Sequence, residues 1–396
     1  MTFSSLLDQI PDYPFRKVGQ ISKEVEQKDG ISVINARIGI PDREAPQAIK
    51  EALAKYVLSE NSTLGYPCDA HPERGIPELI EAIIEDYRQR HGVVLQPENI
   101  AVTNWNKEVL FNIVRLFEPG TVYIPDPVYP VYEPASLLTG HRVQRVRTTA
   151  ATHWLPEFNF SGAASPGEGR PGVFYFCDPN NPTGTVADRD FYLSLSEAMQ
   201  SRGIMGVFDK AYKNYTFEEG FQPLSITEIP GMMDRGFEMV SFSKHYNFVG
   251  IGLGWMVSSA ENINRWFKLS SQYSQGVEWY KQKAGAEALR SPQVQEEMQG
   301  YFKELKERRD LFVKGLQELG LRAAVPQATP YLWIQVPEGM DDEDFVLNRL
   351  IRQAHVAFMP GSYFGTNGKS FMRATLFLSR SEIETALERI DKIRTW

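Results

Sequence analysis

The feature that most constrains the fold of this chain is a succession of short apolar runs separated by amphipathic segments. Residues 172–178 (GVFYFCD), 204–209 (IMGVFD) and 237–243 (FEMVSFS) each have the length of one buried strand. Residues 188–203 have the periodicity of a helix, and a further strand is predicted at 121–126. Strands that are apolar on both faces and alternate with helices are typical of a parallel sheet covered by helices. The sequence therefore predicts an α/β fold built on a mainly parallel sheet.

The last third of the chain has a different pattern, with more charge and fewer buried strands. The predicted elements are a long helix at about 292–320, strands at 331–336, 356–360 and 371–377, and a helix at 342–353. This order is typical of a smaller α+β domain packed against the first one. We expect a large domain over 43–290 and a small domain formed by 1–42 together with 291–396.

Three polar residues follow the predicted parallel strands directly. Asn181, Asp209 and Lys244 lie at or just past strand ends, and ligands of open α/β sheets bind at the carboxyl ends of the strands. A lysine on the surface there would carry no function, whereas a lysine in a closed cavity would be a reactive amine. The convergence of the three favours the second interpretation.

Composition excludes several classes of function. The 396 residues carry a net charge of −8 without a basic tract, so a nucleic-acid partner is not expected. The apolar runs are too short for a membrane span, and the N-terminus lacks the pattern of a signal peptide. Two cysteines, Cys68 and Cys177, do not make a disulfide framework, which indicates a reducing, cytoplasmic setting.

Several short motifs occur in an order that resembles one enzyme family. The motifs are IPDYPF, IGIPD, LGYP, PDPVYPVYE, DPNNPTG (178–184), FDKAY (208–212), SFSK (241–244), MPGSYFG and FMRATL (371–376). Together they cover nearly the whole chain and resemble the fold-type I, pyridoxal-phosphate-dependent aminotransferases of class I and II. The branch that the chain resembles most is that of the LL-diaminopimelate aminotransferases. The resemblance implies a pyridoxal 5′-phosphate cofactor, and no metal ion is expected.

The resemblance implies a role for each polar residue at the strand ends. Lys244 would bind the cofactor aldehyde covalently and later move a proton, which requires a lowered pKa. Asp209 would pair with the pyridine nitrogen and keep the ring protonated. Tyr212 and Asn181 would donate hydrogen bonds to the cofactor's 3-oxygen. Without the other motifs, each of these residues could equally be an ordinary turn or strand-end residue.

Four further residues would complete the site, one of them against the cofactor ring and three on the substrate side. Tyr129 would stack on the cofactor ring, and Arg373 would bind the substrate's α-carboxylate with its bidentate guanidinium. Gly39 would offer its backbone to the same carboxylate, and Tyr13 would close the site from the N-terminal segment. A core aromatic is the alternative for Tyr129, and a surface ion pair is the alternative for Arg373.

The cofactor-phosphate end departs from the family pattern. Where relatives carry a pair of small residues, this chain has Trp105 and Asn106, followed by Lys107. The family also places an arginine eight residues after the reactive lysine, and that position is Gly252. We therefore expect either weaker cofactor retention or a phosphate site built from other residues.

Other phosphate ligands are implied by the remaining motifs. Ser241 and Ser243 directly precede Lys244 at the end of the predicted strand and would bind the phosphate. Tyr66 of the LGYP motif would reach the phosphate across a dimer interface. Lys107 could supply the missing positive charge, but only as a point charge. A homodimer with shared active sites is therefore implied.

Three further residues have open interpretations. Glu278 and Trp279 would lie near the mouth of the site or on the partner's side of it, where the acid could pair with a basic substrate side chain. The alternative for Glu278 is an exposed helix glutamate. His245 could be a second base, although a packed ring is the favoured interpretation.

Three functions are compatible with the sequence. The leading hypothesis is transamination between an amino acid and a 2-oxo acid. The second is a lyase, cyclase or oxidase acting with the same cofactor on an amino acid, which could be basic. The third is a cofactor-free binding protein derived from such an enzyme, and the intact Lys244, Asp209 and Arg373 argue against it.

Overall fold

The structure is a computed structural model that describes residues 3–10, 12–59, 74–158, 160 and 172–396. Tyr66, and almost all of a Gly-, Pro- and Ser-rich stretch at 158–172, lie outside the described residues. Three sheets are present within them, and every parallel strand pair predicted from the apolar runs belongs to the largest sheet.

The strands of the described residues are β1 (Ile34–Asn35), β2 (Ile100–Thr103), β3 (Thr121–Asp126), β4 (Arg142–Arg147), β5 (Gly172–Cys177), β6 (Ile204–Asp209), β7 (Gly236–Ser241), β8 (Gly254–Val257), β9 (Arg322–Ala323), β10 (Tyr331–Gln335), β11 (Val356–Ala357), β12 (Met359–Pro360) and β13 (Phe371–Thr375). Seven of them form the large sheet in the order β2-β8-β7-β6-β5-β3-β4. The five strands from β7 to β4 pair in parallel, and β8 is antiparallel to both of its neighbours. The predicted α/β class and mainly parallel sheet are confirmed.

The helices are α1 (Pro14–Asp29), α2 (Gln47–Val57), α3 (Pro77–His91), α4 (Asn106–Asn112), α5 (Tyr132–Leu137), α6 (Arg189–Arg202), α7 (Phe242–His245), α8 (Ala260–Ser270), α9 (Trp279–Arg290), α10 (Pro292–Glu318), α11 (Asp342–Asp344) and α12 (Arg380–Lys392). Their ends follow from local chemistry. The Asp188 carboxylate accepts a hydrogen bond from the Phe191 N–H and so begins α6, and Gly203, with φ of 63°, ends it. Within the described residues, no helix is both long and apolar enough to span a membrane.

The central strands are buried along their whole length, which explains their apolar sequences. Every residue of β5 and β7 is buried, and so is every residue of β6 except Met205, which is half-buried. Because neighbouring strands run in the same direction, their carboxyl ends lie along one edge of the sheet. Asp209 is the last residue of β6, and Lys244 comes three residues after β7. The fold therefore brings the polar residues of several loops to one edge.

A smaller antiparallel sheet lies in the C-terminal third, in the order β12-β13-β10-β9. Its register pairs Trp333 with Arg373 and Tyr331 with Thr375. The predicted strand at 356–360 is divided, because Val356 and Ala357 pair with β1 whereas Met359 and Pro360 pair with β13. The division of the chain into two domains at the predicted boundaries stays a prediction.

Two predicted elements end differently from the prediction. The strand predicted over 237–243 ends at Ser241, because the Ser241 hydroxyl accepts a hydrogen bond from the Ser243 N–H and begins the short helix α7. The helix predicted over 342–353 begins as α11, and its larger part, Phe345–Ile351, is a π-helical turn. The first difference turns the chain so that Lys244 lies at the sheet edge.

Candidate active site

A cavity of about 430 Å³ lies at the carboxyl ends of β5, β6 and β7. It has the size of a site for a small molecule or cofactor. The residues predicted for the site that line this cavity are Tyr13, Gly39, Trp105, Asn106, Lys107, Tyr129, Asn181, Asp209, Tyr212, Ser241, Ser243, Lys244 and Arg373. Tyr66 is the one predicted site residue that lies outside the described part of the chain.

Lys244 lines the cavity with an amine of lowered pKa. Its side chain is half-buried, and its Nζ donates a hydrogen bond to the carbonyl oxygen of Gly39. Burial and, to a smaller extent, the positive charge of Arg373 lower the pKa of Lys244 to about 8. A substantial fraction of the amine is therefore neutral near physiological pH and can act as a nucleophile or base.

Asp209 is a buried carboxylate without a cationic partner among the described residues. It accepts hydrogen bonds from the hydroxyl of Tyr132 at 2.8 Å and the backbone N–H of Ala211 at 3.2 Å. Burial raises the pKa of Asp209, and the Tyr132 hydroxyl, the Ala211 N–H and the Asn106 amide oppose the increase only in part. A ligand that presents a cation at this end of the cavity would compensate the buried negative charge.

Arg373 is a buried cation that also has no oppositely charged partner within the described residues. Its Nη1 donates to the Asn181 side-chain oxygen at 2.7 Å, and its Nη2 donates to the carbonyl oxygen of Arg37 at 2.7 Å. Its guanidinium lies over the ring of Tyr331, at 4.1 Å from the centroid. Nε is buried without a hydrogen bond to any described residue. An anionic ligand such as a carboxylate would compensate this charge.

Tyr212 and Gly39 converge on one residue that was not predicted, Tyr331. The hydroxyls of Tyr212 and Tyr331 are hydrogen-bonded at 2.9 Å. A Cβ atom at position 39 would lie 1.9 Å from the Tyr331 hydroxyl, so only glycine fits there. Burial raises the pKa of the Tyr212 phenol well above its usual range, and the group is therefore protonated.

The end of the cavity predicted to hold the cofactor phosphate is lined by Ser241, Ser243, Lys107 and Asn106. Lys107 is exposed, and its Nζ lies 4.6 Å from the centroid of the Tyr13 ring. Both polar atoms of the Asn106 amide are buried without a hydrogen bond of good geometry, but the amide lies close enough to Asp209 to lower the pKa of that carboxylate. Apart from Arg373, no arginine of the described chain lines the cavity. This end therefore offers hydroxyl, amide and ammonium donors in place of a guanidinium.

The two departures from the family pattern at this end are in contact. Gly252 has a φ of 71°, which disfavours any other residue, and a Cβ atom there would lie 2.3 Å from Cε2 of the Trp105 indole. The indole occupies the space into which a side chain at position 252 would project. The tryptophan and the glycine are therefore two parts of one arrangement.

Tyr13 and Tyr129 separate the cavity from a second one of about 690 Å³, because both residues line both cavities. Tyr129 is half-buried and packs edge-on against Tyr132, with 6.1 Å between the ring centroids. Burial raises the pKa of Tyr129 well above its usual range, and the neighbouring Tyr13 contributes in the same direction.

Three residues with open interpretations do not line the catalytic cavity of this chain. Glu278 forms an ion pair with Lys281 at 2.7 Å, and Trp279 is buried against Tyr56. The His245 ring is buried and stacks on Phe302, with 5.1 Å between the centroids. The structure therefore favours packing for His245 and Trp279, and it pairs Glu278, the residue before α9, with a lysine of that helix.

Sequence reasoning missed Tyr331, Tyr132 and Cys177. Tyr132 is the second tyrosine of the PVYPVYE motif, and its position three residues after Tyr129 was the available signal. Cys177 is the last residue of β5 and lines the cavity with a buried thiol, whose pKa is raised by burial. Tyr331 had no local signal, because its position depends on the pairing of β10 with β13.

Comparison with known proteins places this geometry in a family. The model of the aminotransferase class I and II family matches residues 31–390. The LL-diaminopimelate aminotransferase of Desulforudis audaxviator is 34% identical over 386 residues, covering 96% of this chain and 95% of the relative. An LL-diaminopimelate aminotransferase of Nostoc sp. is 30% identical over 394 residues, with 98% of both chains covered. The chain belongs to the class I and II aminotransferases.

Solved structures agree with this assignment. The substrate-bound BacF structure from Bacillus subtilis superposes with a TM-score of 0.89 at 28% identity, covering 100% of this chain and 98% of that one. The aspartate aminotransferase of Thermotoga maritima gives a TM-score of 0.86 at 26% identity, with 98% and 99% covered. The protein is thus a pyridoxal-phosphate-dependent aminotransferase that acts on amino acids and 2-oxo acids. The lyase, cyclase or oxidase alternative is not favoured.

The cavity fits the cofactor that the family uses. Asp209 is a buried carboxylate without a described cation, Lys244 is an amine of lowered pKa, and Asn106 has a buried amide. These groups match a pyridinium nitrogen, an aldehyde and polar oxygens respectively. The fit is weakest where the phosphate would lie, since that end has no arginine among the described residues.

Proposed function

We propose that Lys244, Asp209 and Arg373 carry out the transamination in this chain. The observation that supports it is that two buried charges without described counter-ions, one of each sign, line one cavity together with an amine whose pKa is about 8. A buried uncompensated charge is costly unless a ligand compensates it. Pyridoxal phosphate and the carboxylate of an amino acid would supply the two missing charges.

The residues that would hold the cofactor follow from their chemistry. Lys244 would bind the aldehyde carbon, Asp209 would hold a proton on the ring nitrogen, and Tyr212 would donate its proton to the 3-oxygen. Tyr129 would cover one face of the ring, and Asn181 would also donate to the 3-oxygen. When bound, the cofactor supplies an electron-accepting ring that stabilises negative charge at the Cα of an amino acid.

Ser241, Ser243, Asn106 and Lys107 would donate to the phosphate, and Trp105 would enclose it. Tyr66 of a second subunit would add a further donor. Because serine, amide and lysine donors lack the fixed fork of an arginine, we expect the cofactor to dissociate more readily than from an arginine-containing site.

The chain's own residues would then bind and deprotonate the substrate. Arg373 would hold the α-carboxylate, with Gly39 and Tyr13 closing the cavity around it. The Nζ of Lys244, as a free amine, would remove the proton from Cα and return a proton in the second half of the reaction. A single positioned amine is sufficient for both transfers.

The names of the curated relatives make LL-diaminopimelate the first amino donor to test. We propose a role in amino-acid biosynthesis with this compound or a related amino acid as donor. The purified enzyme is mixed with one donor at a time, without a 2-oxo acid, and the absorbance of the bound cofactor is followed. A transaminase changes its absorbance once and recovers it only when a 2-oxo acid is added. Recovery without a 2-oxo acid would contradict transamination.

A homodimer with shared active sites is part of the proposal. Several large apolar side chains near the cavity are exposed in one chain: Tyr13, Ile40, Trp105 and Val249. A second copy of the chain would cover such a surface and bring Tyr66 to the cavity. Light scattering of the purified enzyme tests the dimer. Tyr66→Phe, mixed with Lys244→Ala chains, tests whether sites are shared, because only shared sites would change activity on mixing.

A cytoplasmic location and the two-domain division are further proposals. The low cysteine count supports a reducing compartment, and fractionation of cells that produce the protein tests it. The separate small sheet of the C-terminal third supports the boundaries near residues 43 and 290. Limited proteolysis with fragment mass measurement tests them.

A further inference from the structure

Tyr331 contacts three parts of the proposed machinery from one position at the start of β10. Its hydroxyl lies 2.9 Å from that of Tyr212, its ring lies under the guanidinium of Arg373, and its hydroxyl faces the Cα of Gly39. Its side chain is only 2% exposed, so protein groups and not solvent determine its hydrogen bonding. The inference drawn from them rests on the proposed role of Tyr212.

The two hydroxyls have two protons and one hydrogen bond between them. If Tyr212 donates to Tyr331, the Tyr212 proton is used within the pair. If Tyr331 donates instead, Tyr212 keeps its own proton for an acceptor in the cavity. A hydroxyl that accepts one hydrogen bond also becomes a stronger donor in the next. The direction of this hydrogen bond therefore decides whether Tyr212 can donate its proton to an acceptor in the cavity.

The surroundings favour Tyr331 as the donor. The positive charge of Arg373 makes the Tyr331 phenol more acidic than burial alone would leave it. Burial and the neighbouring Tyr331 raise the pKa of Tyr212, and the opposing effect of Arg373 on Tyr212 is smaller than either. The more acidic of two phenols is the better donor. Within the described chain, the Tyr331 hydroxyl has no hydrogen-bond partner other than Tyr212.

We propose that Tyr331 is a positioning residue that donates its hydroxyl proton to Tyr212 and thereby directs the Tyr212 proton to the 3-oxygen of the cofactor. The ring of the same residue supports the guanidinium of Arg373. The hydroxyl acts on the cofactor and the ring acts on the substrate carboxylate, so the two effects are separable by substitution.

The hydroxyl is tested by the pH at which the absorbance of the bound cofactor changes, in the absence of substrate. Weaker donation by Tyr212 leaves the 3-oxygen anion more basic. The proton that this oxygen shares with the Lys244 nitrogen is then lost at higher pH. Tyr331→Phe should raise this midpoint by about half a pH unit, the size that one neutral hydrogen bond can give. Tyr212→Phe should raise it more, and the double variant should match Tyr212→Phe alone.

Tyr215→Phe is the matched control. Tyr215 is also buried beside Tyr212, with 6.5 Å between ring centroids, but it forms no hydrogen bond with the Tyr212 hydroxyl. It should leave the midpoint unchanged. A midpoint that Tyr331→Phe leaves unshifted would overturn the proposal. So would a double variant whose midpoint lies above that of Tyr212→Phe by the same amount that Tyr331→Phe alone adds to the wild type. A wild-type enzyme without cofactor absorbance would instead contradict the proposed function.

A second variant reaches the same hydrogen bond without altering Tyr331. Gly39→Ala places a methyl group where the Tyr331 hydroxyl now lies and must displace it. The midpoint should rise as in Tyr331→Phe, and an unchanged midpoint with an intact thermal transition would contradict the proposal.

The ring is tested by comparing Tyr331→Phe with Tyr331→Leu. Phenylalanine keeps the aromatic face under Arg373, whereas leucine removes it. KM for the amino donor should be close to that of the wild type in the first and about five- to ten-fold higher in the second, as expected for loss of one cation–π contact. Equal KM values in the two variants would remove the ring from the proposal.

Discussion

The two ends of the catalytic cavity are built on different principles. Around Asp209, Lys244 and Arg373 the polar groups are buried or half-buried and form hydrogen bonds within the protein. The charges of Asp209 and Arg373 have no counter-ion among the described residues. Around Trp105 and Gly252 an indole packs on a glycine, and the donors nearby are an exposed lysine, hydroxyls and an amide. Ligand binding at the first end therefore depends on charge, and at the second on the packing of side chains. Substitutions should therefore be severe at the first and modest, or even reversible, at the second.

The largest effect is expected from Lys244→Ala. Loss of the amine should lower kcat at least about 1,000-fold, within the range of a general acid–base group. The matched control is Lys107→Ala, which removes a lysine from the other end of the same cavity and should chiefly weaken cofactor binding. Steady-state rates at saturating cofactor measure both. A Lys244→Ala enzyme within ten-fold of wild type would remove the contrast between the two ends.

The next effect is expected from Arg373→Lys. The shorter, single-point ammonium cannot keep both present hydrogen bonds and a bidentate carboxylate contact. kcat/KM for the amino donor should fall about 100-fold, as for truncation of a buried charged contact. The affinity for the cofactor, measured by fluorescence quenching, should change little. A parallel loss of cofactor affinity would mean that Arg373 organises the whole cavity.

At the other end, Gly252→Arg should weaken cofactor binding about ten-fold rather than improve it. The new side chain strikes the indole of Trp105, and its backbone would be strained at a φ of 71°. Trp105→Gly combined with Gly252→Arg frees the space, and its dissociation constant should return towards the wild-type value. If Gly252→Arg alone tightens binding, the indole is not an obstacle and the two positions are independent.

The rate at which cofactor-free enzyme takes up pyridoxal phosphate should depend on pH through Lys244. Its pKa is lowered to about 8, firstly by burial and secondly by Arg373. Only the neutral amine attacks, so uptake should be about ten-fold slower at pH 7 than on the plateau above the pKa. In Arg373→Met one cause of the lowering is absent, and the midpoint should move to higher pH. A midpoint unmoved by this substitution would show that the two cations are not coupled.

The smallest effect is expected from Glu278→Gln. Glu278 is paired with Lys281 and does not line the cavity of its own chain, so kcat/KM should change less than about two-fold with acidic, basic and neutral donors. A selective loss with basic donors would mean that Glu278 reaches a substrate side chain, by way of the partner subunit.

The sequence was sufficient for residues that follow buried strands. Asp209 and Lys244 could be assigned to one sheet edge because strand direction and apolar runs are local properties. Tyr331 could not, since the 2.9 Å contact with Tyr212 spans 119 positions and depends on the register of β10 with β13. The contact of Trp105 with Gly252 also depends on long-range pairing, that of β2 with β8, and neither departure from the family pattern reveals it alone. Ser241 ended its strand early because a serine side chain can cap a helix as well as continue a strand.

The loop between α1 and α2 has a property that follows from two of its carbonyl groups. Arg37 accepts from the guanidinium of Arg373, and Gly39 accepts from the amine of Lys244. Both cations that we propose for turnover thus donate hydrogen bonds to backbone carbonyl groups of one short loop. A carbon-13 label in the Gly39 carbonyl would sense each change in the lysine's charge, and one in Arg37 would sense a carboxylate arriving opposite it. The enzyme could then be followed by nuclear magnetic resonance without relying on its colour.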